Sequence, residues 1–114
     1  MGRQTNLHAV WDTGIIDPAV QGDERSYALH LLKEIADAER GVWSSDDPVS
    51  WANESHDLAA LAVYGELQHA GTLPDSYEAQ ALPLVNQQLE RAGVRLAKVL
   101  NECHTVQPAD PREY

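Results

Sequence analysis

Six residues of the carboxy-terminal third, Val85, Leu89, Ala92, Leu96, Val99 and Cys103, recur at alternating spacings of four and three. A strand would scatter them over both faces, because side chains there alternate every two residues. A helix gathers them into one stripe, and a stripe averaging about three and a half residues is a bundle seam. No helix can cover its own stripe, so this one constrains the chain to an arrangement in which other helices pack against it.

The spacing predicts that helix from about Ser76 to Cys103, with Pro83 near its start as a kink or break. Three more helical segments precede it. The first runs from about Asn6 to Ile15, capped by Thr5 or Asn6 and ending near Gly14, ahead of Pro18. The second runs from about Glu24 to Arg40 behind an Asp23 cap, with Tyr27, Leu31, Leu32, Ile35 and Ala38 as its apolar stripe. The third starts at the cap and first-turn proline of Asp47-Pro48 and continues to about Leu67. Its apolar side is Leu58, Leu61, Ala62 and Gly65, with Trp51 and Ser55 above. The tract HAGTLPDS ends it, and the tail TVQPADPREY reads as frayed. The expectation is an all-α helical bundle: one domain over residues 1–104 and a flexible tail over 105–114.

Hydrophobic residues make up 43% of the chain, which is enough for a packed core. Alanine and leucine dominate and phenylalanine is absent, which favours helices over sheets. The net charge of −10 repels phosphate backbones, so contact with nucleic acid would need a cationic intermediary such as a metal cluster. Cys103 is the single cysteine, and no internal disulfide is open to it. No stretch is apolar for long enough to span a membrane. The start, MGRQTNLH, has no apolar signal core, so the chain as written is expected in the cytoplasm. Gly-rich phosphate loops, Cys-x-x-Cys pairs and nucleophile elbows are absent.

Chemistry concentrates in TNLHAVWDTGII. His8 and Asp12 are four apart, so on a helix they share a face and can converge on one ion. Imidazole and carboxylate suit zinc, although ligand type alone leaves other ions open. The competing account is a surface hydrogen-bonded pair, or an acid stabilising the first turn. Two ligands fall short of the three or four that zinc sites use. His30, His56, His69 and His104 show no spacing that completes the set. Trp11 and Trp51 read as core or interface aromatics. Glu54 reads as either a buried polar anchor or a solvent-facing side chain.

TNLHAVWDTGII, WANESHDLA with VYG, and AGVRLAKVLN together, in this order and at these separations, resemble the carboxy-terminal part of the S1/P1 nuclease family. The resemblance extends from about Gly2 to Asn101. It implies a mainly α-helical, phospholipase C-like fold. It also implies three zinc ions in a cleft and hydrolysis of phosphodiester bonds in single-stranded DNA and RNA and of 3′-nucleotides. Carried over, His8 and Asp12 are two ligands to one of those zincs. The next residue is an asparagine that helps bind the base in some members. Here it is Thr13, a weak candidate for substrate contact.

The family's earlier histidines and aspartates, and its amino-terminal tryptophan, have no counterpart in these residues. The expectation is a truncated nuclease, inactive alone, with at most one incomplete zinc site. Two alternatives stand beside it. One is an enzyme completed by the missing amino-terminal half or by a second copy in a homodimer. The other is a helical interaction module without metal chemistry.

Overall fold

Capping side chains set most helix starts. The computed structural model describes residues 5–65 and 72–104. At its beginning, Asn6 Oδ1 accepts the Ala9 amide at 2.8 Å and starts α1, Leu7–Ala9. The helix then widens. In Val10–Gly14 the backbone takes π-type turns, with the Ile15 amide reaching back five residues to the Val10 carbonyl at 3.0 Å. A short α2, Asp17–Val20, follows on Pro18 and closes through a left-handed pair, Gln21 and Gly22. Asp23 Oδ1 accepts the Ser26 amide at 2.9 Å to begin α3, Glu24–Glu34.

The second predicted helix is in fact two. Ile35 and Ala36 are extended, and α4, Asp37–Ser44, begins afresh, with the Ala36 amide donating to the Glu39 carboxylate at 3.0 Å. Helix electrostatics account for the break. Glu34, Asp37 and Glu39 would crowd the carboxy-terminal part of one continuous helix, where negative charge is unfavourable. The break instead puts Asp37 and Glu39 in the first turn of a new helix, where it is favourable. Leu31 is buried and Tyr27 and Ile35 are partly buried, but Leu32 and Ala38 of the predicted stripe face solvent.

Asp47 and Pro48 start α5, Pro48–Leu58, as expected, with Asp47 Oδ1 accepting the Ser50 amide at 2.9 Å. A second π-type stretch, Ala59–Tyr64, continues it. Leu58 and Ala62 are partly buried, whereas Leu61 and Gly65 of the predicted apolar side are exposed, Leu61 at 75%. The predicted end near Leu67 and the tail from 105 onward lie outside the described residues.

The last helix, α6, spans Tyr77–His104. Pro83 neither ends nor splits it. A proline removes one backbone donor, but Pro83 and the residue four before it, Ala79, are both exposed, so water can take the orphaned carbonyl.

The helix is turned differently from the prediction. Of the six-residue seam only Val85 is partly buried, and Leu89, Ala92, Leu96, Val99 and Cys103 face solvent. The inward face is an interleaved series: Tyr77, Ala81, Leu84, Gln88, Arg91, Arg95 and Lys98. These residues also alternate by four and three, so periodicity alone could not choose between the two stripes. Helices α4 and α5 meet this inward face at Arg95, and α3 packs on another side of α6, with Tyr27 Oη donating to Asn86 Oδ1 at 2.5 Å. All described secondary structure is helical, as expected, and the molecule is elongated, with a radius of gyration of 18.7 Å and principal extents of 71 × 30 × 29 Å.

Candidate metal pair and its support

The His8–Asp12 pair forms as the spacing suggested. His8 Nε2 lies 2.9 Å from Asp12 Oδ2, with the side chains 86% and 61% exposed. His8 sits on the α-helical turn and Asp12 on the widened one, and the two still converge on one outer face. Widened turns of this type occur often at functional sites.

Beneath the pair lies an apolar cluster of Val10, Ile15, Tyr77 and Ala81, with Trp11, Leu73, Leu82 and Val85 packed against it. Trp11 Nε1 donates to Tyr77 Oη at 3.0 Å, and the rings meet edge to face with centroids 6.3 Å apart. The segment carrying the pair is therefore fastened to α6 by burial on one side and by a directed hydrogen bond on the other. Trp11 is the core aromatic that the sequence implied.

Imidazole nitrogen and carboxylate oxygen are both zinc-ligand types, but at 2.9 Å the two side chains contact each other directly, which is the surface pair of the competing account. Among the described residues no third histidine, cysteine, aspartate or glutamate joins them in a metal-sized group. His30 and His104 are exposed and far along the chain, and His56 lies beside its own neighbour Asp57 at 3.4 Å. His69 lies outside the described residues. Thr13 is exposed and turned back on its own helix, with Oγ1 donating to the Ala9 carbonyl at 3.4 Å.

A second constellation, farther along α6, is unforeseen in most of its members. Arg95 is buried and grips Glu54 with both terminal nitrogens, at 2.9 and 2.8 Å, while its Nε donates to the Trp43 carbonyl at 3.2 Å. Arg91 reaches the same carboxylate at 3.2 Å and lies over the Trp43 ring, 5.6 Å from its centroid. Arg95 and Lys98 lie over Trp51 at 5.3 and 5.9 Å. Each guanidinium is thus held by an anion and an aromatic face together.

Hydrogen bonding from Arg95 is the main cause that keeps the Glu54 carboxyl below its ordinary range. The same bond raises Arg95. Glu54 is therefore a paired anchor. The signal that could have revealed the cluster is Arg91, Arg95 and Lys98 at helical spacing, three cations on one side of the helix.

A cavity of about 390 Å³ opens between α3, α4 and α6, lined by His30, Glu34, Glu39, Asn86, Gln87 and Glu90 among others. Partial burial, and then the charges of Glu39 and Glu34, push the Glu90 carboxyl above its ordinary range. No described helix is long and apolar enough to cross a membrane.

The described residues define an all-helical protein with an outward His–Asp pair on a tryptophan-anchored segment. Comparison with known proteins gives this protein its family. The S1/P1 nuclease family model matches residues 1–105, and the chain belongs to that family. Endonuclease 5 of Arabidopsis thaliana is 34% identical over 92% of this chain and 40% of its own length. Endonuclease 3 of the same plant is 34% identical over 87% and 38%. Nuclease PA3 of a Penicillium species is 26% identical over 90% and 45%. The chain thus spans about two fifths of the length of the relatives it matches. No solved structure matches it.

Proposed function

We propose that this chain carries the His–Asp portion of an S1/P1-type zinc-dependent nuclease site and hydrolyses nothing by itself. The observation behind this reading is the His8–Asp12 pair, formed at 2.9 Å on the outer face of a family member that contributes no third ligand from its described residues. His8 Nε2 and Asp12 Oδ2 would hold one zinc ion together with ligands from the part of the fold outside the matched stretch. Bound zinc supplies an acidified water and charge neutralisation for phosphodiester hydrolysis. The chain's own contribution is positional. The apolar cluster and the Trp11–Tyr77 bond keep the two donors on one face and at one depth. The substrate class that fits the family is single-stranded nucleic acid, and with a net charge of −10 a bound metal would offset the long-range repulsion of phosphate.

Equilibrium dialysis against zinc, with nuclease assays on single-stranded DNA, tests this reading. The expected result is weak zinc binding that is lost in His8→Ala and Asp12→Ala, and no hydrolysis by the chain alone. Robust zinc-dependent hydrolysis by the pure chain would refute it.

The exposed apolar face of α6 favours a second reading, a helical interaction module without metal chemistry. On that reading the same two substitutions leave both zinc uptake and assembly unchanged.

A further inference from the structure

Along the middle of α6 the charges are turned away from solvent. Between positions 87 and 101 every solvent-facing residue is uncharged: Gln87, Leu89, Ala92, Gly93, Leu96, Ala97, Val99, Leu100 and Asn101. The four charged residues of that stretch, Glu90, Arg91, Arg95 and Lys98, are buried or partly buried. A surface helix does the opposite, because charges are cheapest in water and apolar side chains inside. Here Arg91 and Arg95 are paired with Glu54 and lie over Trp43 and Trp51, so turning the helix over would break the ion pair. Its apolar part, from Leu89 to Leu100, runs about 17 Å at 1.5 Å per residue. Leu96 is 60% and Leu100 47% exposed within it. An uninterrupted apolar stripe of this length marks an interaction surface.

We propose that this face of α6 is the docking surface for the portion of an S1/P1 nuclease that lies outside the matched two fifths. The inference rests on the reading above that the site is completed from elsewhere in the fold. Two observations select this occupant. The relatives are about two and a half times as long as the stretch they share with this chain, so the rest of such a fold is available to cover an apolar face within that stretch. A second copy is the poorer occupant, since pairing the faces would bring together two chains of charge −10.

The test is co-expression of the full chain with the part of Endonuclease 5 outside its matched stretch. Complex formation is followed by light scattering, and zinc content is measured on the same sample. Wild type is expected to form a one-to-one complex. Leu96→Glu and Leu89→Glu, each at an exposed position and each checked for unchanged helicity by circular dichroism, should weaken it at least about tenfold. Val49→Glu, at an equally exposed apolar position on α5, should leave it intact.

Wild type that forms no complex, or glutamate variants that bind as wild type does, would overturn the proposal. A dimer of the chain alone that Leu96→Glu dissolves would also overturn it, in favour of a second copy. His8→Ala separates the two claims. A complex that forms but retains no zinc in wild type leaves the docking face standing and refutes the metal reading.

Discussion

The two ends of α6 hold the molecule by opposite means. At the amino-terminal end, Tyr77 and Ala81 meet Val10 and Ile15 in an apolar cluster, and a single directed bond from Trp11 completes the contact. At the carboxy-terminal end the buried contact is a carboxylate, two guanidiniums and two indoles. The first contact tolerates local adjustment, because apolar burial has no direction. The second does not, since it works only while every charge keeps its partner. The segment carrying His8 and Asp12 therefore rides on the forgiving contact, and the docking face of α6 is oriented by the exacting one.

The largest expected effect follows from that contrast. Arg95→Ala leaves Glu54 charged and without its main partner in a partly buried site, and should cost about 3 kcal/mol, measured by urea unfolding. If it cost no more than an exposed substitution, the carboxy-terminal end would not be held electrostatically. Ile15→Ala should cost about 2 kcal/mol by loss of buried methyl groups in a small cluster. A markedly larger loss would show that the apolar end carries the fold. Tyr77→Phe keeps the ring and removes only the acceptor for Trp11, so about 1 kcal/mol is expected.

Acid should also separate the groups. Glu54, like the capping residues Asp23 and Asp47, has its folded-state carboxyl lowered, the caps chiefly by backbone hydrogen bonds. Their stabilisation is present above the ordinary carboxylate range and is lost as pH falls through it. Glu90 has the reverse sign. Its raised carboxyl costs stability once ionised, and that cost disappears as pH falls to its unfolded value. Glu90→Gln should therefore raise the melting temperature slightly at pH 7, and the gain should vanish near pH 4.5. A gain that persisted at low pH would mean that Glu90 acts through packing rather than charge.

Much of this arrangement was legible in the residues. Asp47-Pro48 and Asp23 marked helix starts because a cap needs only the next three residues. His8 and Asp12 converge because four positions on a helix always share a face. The motifs TNLHAVWD, WANES and RLAKVLN were enough to indicate the family, since their order and wording are local properties of the chain. The break at Ile35 and Ala36 was harder to see, because the apolar stripe runs through it. It follows from the acidic residues beyond it, Asp37 and Glu39, which are better placed in a first turn than near a helix's carboxy-terminal end.

The turn of α6 about its own axis was not in the residues at all. Two stripes with the same spacing run along it, one apolar from Val85 to Cys103 and one mixed from Tyr77 to Lys98. Hydrophobicity alone selects the first, and the folded chain buries the second, because Glu54, Trp43 and Trp51 arrive from other helices to receive Arg91 and Arg95. The sequence by itself determined that the chain is helical, where most helices begin, and that His8 and Asp12 share one face. Only the tertiary structure decided which side of α6 is inside, because that choice depends on partners more than thirty residues away.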